Sequence, residues 1–364
     1  MMLHFFWSGY NLSEDSYKQY EFSNLEIAKW AEYYLGRNIS FHQSTWSAGK
    51  VTENLQDILL GHLTWDNRTN EQRLIMKNLL RNWVKDNALV LTDDCHPNTY
   101  ILTPWVPYFP LEWTSNMPFW ESQLLAARKI FAICGEIWIE RTLAKEDDSV
   151  QYHVKDKLVR CNMGIATQNF KVTKQKFNIV GERQLLHISV LAPYKGFEIT
   201  CKSLEGLETL LHVASSSLQA PIGLVEISID GKDYVFNFIG FIDNSSFEFN
   251  QWVVDTCDFY IHTGKMDAQP TVILENCARG LIPLITPESG FSSPHAIYLT
   301  QDPVENRKII EWALNLPETE LLKRSILIRE QVIKEHSWEK IFDKVWGEII
   351  ADIESRHNRN KKLK

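Results

Sequence analysis

The chain has 364 residues, 44% of them hydrophobic, and carries 46 acidic against 38 basic side chains for a formal net charge of -8. That length fits about two domains, and the acidic balance argues against a general nucleic-acid-binding surface, which needs a basic excess. No apolar run reaches the roughly eighteen residues of a membrane span, and "MMLHFFWSGYNLSED" has no basic region ahead of its short apolar run, so the chain is expected to be cytoplasmic.

Short β-branched and aromatic runs alternate with segments of helical period almost end to end, the pattern of parallel α/β units. In the first half, strands are expected at "LHFFWS", "NISFHQS", "DILLGH", "ALVLTDD" and "KIFAIC", with helices around 23–36, 69–86, 119–128 and 136–145. Between them "PWVPYFPLEWTSNMPFW" reads as a proline-punctuated loop rich in aromatics, either packed on itself or presenting Trp105 and its neighbours to a sugar or a bilayer interface. After a polar stretch come the strand-like "LVRCN" and the charged connector "FKVTKQKFN", where the domain boundary is expected.

The second half restarts with strand "LLHISVL", a helix from Lys195, strand "GLVEISI", the hairpin-like "DGKDYVFNFIG", a helix near 248–256, strand "DFYIHT", a helix holding "TVILENCAR" and strand "LIPLIT". Near the end, Trp338, Ile341, Phe342, Val345, Trp346, Ile349 and Ile353 recur at helical steps behind Ser337, a candidate N-cap. The basic tail "RHNRNKKLK" fits either a solvated end or contact with an anionic membrane surface. Six cysteines lie scattered without a CxxC pair, which points to reduced, buried thiols.

Two stretches carry chemistry. In "KMDAQPTVILENCARG", Pro270 and Gly280 frame a helix whose amino end follows strand "DFYIHT", where open α/β sheets bind ligands. Free amides at Ala268, Gln269 and Thr271 would attract a phosphate or a hydroxyl, Glu275 could take a ribose diol, and Asp267 would stand on the loop in front. Alternatively, Asp267 caps the helix and Glu275 lies on an exposed face or in an internal ion pair. In "HISVLAPYKGFEITCKSLEGLETLL", Lys195-Gly196 opens a helix and sets a mobile positive charge beside its amides, a receptor for a diphosphate or a solvated lysine.

The order of "LVRCNMGIATQNF", "LLHISVLAPYKGFE", "FNFIGFIDN", "DFYIHTGKMDAQPTVILENCARGLIPLIT" and "HSWEKI" resembles the nucleotide-sugar-dependent glycosyltransferases of family four, over roughly residues 158–345. The resemblance implies the GT-B fold: two Rossmann-like doubly wound α/β domains facing a cleft, with a C-terminal helix crossing back to the first. It implies an acceptor domain over 1–172, a donor domain over 173–335 and the crossover helix with basic tail over 336–364. It also implies Lys195 on the donor diphosphate, Glu275 on the ribose and Asp267 on the transferred sugar. Two departures stand out. Asp267 replaces the family's usual Glu, and Val190 stands where it usually has Arg; Lys265 is expected to supply the second charge.

The amino half matches the family in kind at three places. Gly9 follows the first strand, where a close backbone approach to the donor phosphates requires glycine, His62 closes a strand on the acceptor side, and His96 sits at a strand end where the family contacts the transferred sugar. Each also has a plain structural reading, as a turn glycine or a core histidine. The activity implied is a retaining hexosyl-type transfer from a nucleotide sugar to a saccharide or lipid-linked acceptor, of the kind used in polysaccharide biosynthesis. It needs no cofactor, no bound metal and no nucleic acid. A non-catalytic nucleotide- or sugar-binding homologue and a nucleotide-sugar epimerase of the same fold are the alternatives.

Overall fold

The computed structural model describes residues 3–9, 39–45, 100–103, 128–143 and 155–355, apart from 245 and positions 342, 346, 349, 350, 353 and 354 in the last helical segment. The expected strands "DILLGH" and "ALVLTDD", the helices around 23–36, 69–86 and nearly all of 119–128, His62, His96, Trp105 with its aromatic loop, and the basic tail lie outside the described residues. The chain divides into two compact units, 1–162 with 338–364, and 163–337.

In the first unit, β1 (Leu3–Gly9) pairs in parallel with β2 (Ile39–Thr45), and Gly9 ends its strand opposite Thr45. A parallel sheet of β3 (Tyr100–Thr103), β4 (Lys129–Ile133) and β5 (Leu158–Cys161) sets β3 beside β1. The "YILT" strand β3 was not expected, being short and directly before Pro104. Ile130, Phe131, Ala132 and Ile133 of β4 are all buried, as parallel strands covered on both faces require. Helix α1 (Glu136–Leu143) follows Gly135, whose φ of 81° makes the turn. The terminal helical segment belongs to this unit: Trp338, Ile341 and Val345 are buried at three- and four-residue steps. Its outer face is tied by Arg128 to Asp352, two bonds of 3.0 and 2.8 Å, and by Lys129 to Glu348 at 2.5 Å.

The second unit carries β6 (Leu185–Ile188), α2 (Phe197–Ser203), β7 (Leu211–Ala214), β8 (Gly223–Ile229), β9 (Lys232–Gly240), α3 (Phe247–Thr256), β10 (Phe259–His262), α4 (Thr271–Arg279), β11 (Ile282–Ile285), β12 (Ile297–Tyr298), α5 (Pro303–Leu314) and α6 (Glu318–His336). The sheet order is β12-β11-β10-β6-β7-β9-β8. Only β8 runs antiparallel, joined to β9 by a tight turn with positive φ at both Asp230 and Gly231, the mirror-image turn that matches strand twist. Leaving the hairpin strand aside, this is the doubly wound order in which the chain reverses direction between β6 and β10. One core layer gathers Phe197, Phe236, Phe259, Ile261 and Leu284; the other gathers Leu186, Tyr260, Ile273, Cys277, Ile285 and Phe291. The five described cysteines are buried.

The connector 170–178 forms neither helix nor strand, and it packs inside the second unit. Lys174 is buried, donating to Val254 O at 2.9 Å and Cys257 O at 2.8 Å and pairing with Asp258 at 2.9 Å. An amphipathic lysine with its charge fully matched can enter a core. The division accordingly falls at Asn162–Met163, ahead of the connector, and not after residue 172. Ser337 closes α6 and bridges to Ile165, where the chain leaves the unit.

Candidate functional site

The loops leaving the carboxyl ends of β6 and β10 flank the point where sheet order reverses, and they carry Lys195 and Asp267. After β6 a single 3-10 turn, Pro193–Lys195, ends on Gly196 at φ 74°, which opens α2. After β10, Thr263 donates its hydroxyl to Gly196 O at 2.6 Å and lies 2.9 Å from the Thr200 hydroxyl, while Lys265 N–H donates to Tyr194 O at 2.7 Å. These bonds stitch the two loops together.

Across them Lys195 Nζ meets Asp267 Oδ2 at 2.5 Å, with the ammonium also 5.2 Å from the Tyr194 ring centroid. Asp267 Oδ2 accepts a second bond from His262 Nε2 at 3.3 Å, and Oδ1 accepts from Ala268 N–H at 2.9 Å. Burial pushes the Asp267 carboxyl up, but the bond from His262 and the Lys195 charge outweigh it and hold the pKa below the ordinary range. The amide of Ala268, expected to be open to a ligand, is therefore taken by Asp267: the short side chain folds back onto the next N–H.

Gln269 has φ 48°, and a β-carbon at Gly290 would come 2.7 Å from Gln269 N and 2.8 Å from Asp267 O, so this bend is held by close backbone contact. Its side chain is engaged too, Oε1 accepting from Met163 N–H at 2.6 Å. Helix α4 starts at Thr271 with Pro270 in the N-cap position and no side-chain cap, and it ends on Gly280 at φ 89°, the frame read from the sequence. Lys265 and Met266 are exposed on the same loop, and Val190 is exposed on the loop after β6.

One turn into α4, Glu275 Oε2 accepts from Asn244 Nδ2 at 2.7 Å. The orientation of that amide is set from behind. Arg279, fully buried, donates to Asn244 Oδ1 at 2.5 Å, to Asn250 Oδ1 at 2.8 Å and to Asn276 Oδ1 at 3.0 Å, and its guanidinium lies 4.8 and 5.8 Å from the Phe170 and Phe249 rings. Burial pushes Glu275 up against the opposing pull of Arg279 and the Asn244 bond, and pushes Arg279 down to about 10, still a cation at neutral pH.

His262 was missed from sequence, as were Asn244 and Arg279. It is fully buried, stacked between His187 at 5.9 Å and Tyr260 at 6.3 Å, and its Nδ1 has no hydrogen-bond partner. His187 donates from Nδ1 to Ile261 O at 2.9 Å and accepts from Ser189 at 2.8 Å, and burial pushes its pKa down to about 3, so it is neutral. A histidine closing a β-strand five residues before an acid was the available signal. Among the described residues no three His, Cys, Asp or Glu side chains gather as metal ligands, and no helix is long and apolar enough to cross a membrane.

No family model matches the chain, and no curated protein matches its sequence. Solved structures do resemble it. The N-terminal domain of Candida albicans trehalose-6-phosphate phosphatase superposes with a TM-score of 0.60 at 11% identity, covering 96% of this chain and 98% of that one. A glycosyltransferase from Rickettsia africae gives 0.59 at 12% identity, covering 97% and 99%. Sucrose-phosphate synthase from Thermosynechococcus elongatus gives 0.56 at 11% identity, covering 98% and 100%. The fold is GT-B, built of Rossmann-like α/β units.

Proposed function

We propose that the chain is a nucleotide-sugar-dependent glycosyltransferase, with the donor bound by the second unit. The observation that carries this is the Lys195–Asp267 pair at the reversal point of the β6/β10 sheet, beside the uncapped amino end of α4. A GT-B fold shared with a glycosyltransferase and a sucrose-phosphate synthase supports it. In this reading Lys195 and Lys265 meet the diphosphate, Glu275 the ribose and Asp267 the transferred sugar. Gly9 is read as the close backbone approach to the donor phosphates, His96 as the contact to the transferred sugar, and His62 and Trp105 as facing the saccharide or lipid-linked acceptor.

Charge builds on the leaving diphosphate as the glycosidic bond breaks, so stabilisation by lysine and by the helix dipole contributes most where water is excluded. The leaving oxygen takes the acceptor proton, and the sugar is transferred with retention and without a bound metal or cofactor, at the cytoplasmic face. Proton NMR of the product tests this: α-donor giving α-linked product supports it, while an inverted anomer or an isomerised free sugar nucleotide contradicts it.

A second reading, binding without transfer, is favoured by Val190. It is exposed on the loop after β6 and supplies no charge where the resembled family has Arg. Tight nucleotide binding with no product from any sugar nucleotide and acceptor would favour that reading.

A further inference from the structure

Three donors converge on the Asp267 carboxylate, and they differ in freedom. The Ala268 amide is fixed by the backbone. The His262 ring is fully buried, anchored at the end of β10 and stacked between His187 and Tyr260; because a carboxylate only accepts, its Nε2 carries the hydrogen. Lys195 is different, hanging on a flexible four-carbon stem from a surface turn, its side chain 15% exposed. Of the three, Lys195 alone can leave.

The donor-site reading asks the same ammonium to hold a diphosphate. It already has an anion at 2.5 Å. Resting on that reading, we propose that Asp267 is the resident counter-ion of Lys195 and competes with the diphosphate for it. His262 is the positioning residue that keeps the carboxylate in place once the lysine has turned to the phosphates. The stacked ring and the Ala268 amide leave Asp267 anchored at both oxygens, aimed for the sugar, without the cation.

Two consequences run against a simple binding role. Removing the Asp267 charge should tighten nucleoside diphosphate binding, by roughly threefold to tenfold for one negative charge near the site. Removing the His262 donor should weaken binding by about threefold, because Asp267 then depends more on Lys195, and only while residue 267 is an acid.

Calorimetric titration of the full chain with UDP, GDP and ADP tests this on wild type, Asp267→Asn, His262→Gln, His262→Leu and the Asp267→Asn/His262→Leu double variant. The expected result is tighter binding by Asp267→Asn, weaker binding by His262→Leu, near wild-type binding by His262→Gln, which retains an N–H, and no effect of His262→Leu in the Asp267→Asn background. Equal or weaker binding by Asp267→Asn overturns the competition, and a His262→Leu effect that persists without the acid overturns the positioning role. If circular dichroism shows His262→Leu unfolded, the Asp267→Asn comparison decides alone. Failure of wild type to bind any of the three sinks the donor-site reading, and this inference with it.

Discussion

Gly196 and Thr263 meet backbone to backbone: a β-carbon on Gly196 would lie 1.8 Å from the Thr263 carbonyl oxygen, closer than any real contact. This approach lets the Lys195 turn and the Asp267 loop lie side by side. Gly206 has nearly the same φ, 76° against 74°, but nothing within 4 Å. Gly206→Ala should therefore cost only the left-handed penalty, about 1–2 kcal/mol. Gly196→Ala should cost distinctly more and abolish nucleotide binding, because one loop must move. Urea denaturation of both variants checks this; equal losses would contradict it.

Lys174 and Asp258 form a buried pair in which the acid also accepts from Asn178 N–H at 3.0 Å and Gln184 N–H at 3.1 Å. Lys174→Met leaves Asp258 buried without its cation, a loss of about 3–5 kcal/mol for such pairs. The expected outcome is a sharply lower urea midpoint. A change below about 1 kcal/mol would mean that the connector is not part of the second unit's core.

His187 and His212 are held neutral in the fold, burial pushing them from 6.5 down to about 3 and about 4. Between those values and 6.5 the unfolded chain binds protons that the folded chain does not. Their contribution to stability is thus fully present above pH 6.5 and is lost as pH falls through 6.5 toward 4, approaching about 1.4 kcal/mol per pH unit for each histidine. Asp267, with its pKa lowered, adds a further loss only below its ordinary 3.8. Urea midpoints measured from pH 8 to 5 should be level at first and then decline; a level profile down to pH 5 would contradict the assignment.

Glu275 is predicted to act on the ribose hydroxyls. Glu275→Gln should weaken a nucleoside diphosphate by roughly tenfold, the scale of one charge-assisted hydrogen bond, yet leave its 2′,3′-dideoxy analogue nearly unaffected. Equal weakening of both ligands would place the role of Glu275 inside the Asn244–Arg279 network instead.

Much of the second unit was legible because its signals are local. Apolar runs such as "DFYIHT" and "LIPLIT" are fully buried strands, and Pro270 and Gly280 punctuate α4. Strand β7 and helices α5 and α6 carry weaker local signals: "LHVA" is short, and the mixed charged and apolar surface of α6 shows no clean stripe. Of the site, Lys195 and Asp267 each stand just before a helix that follows a strand, a local signal, but their bond is a long-range fact. So are the Arg279 bonds to Asn244 and Asn250, which join three separate elements. Burial also reversed two expectations, taking the Ala268 amide for Asp267 and drawing Lys174 into the core.

Thermal shift with nucleoside diphosphates and their sugars tests the donor site at Lys195, since a ligand of the folded state raises the melting temperature with concentration. At least one of UDP, GDP, ADP or their sugars should raise the wild-type midpoint in a saturable way, with Lys195→Ala losing most of that shift. No shift from any of them, or an undiminished shift in Lys195→Ala, would rule out a donor site at Lys195.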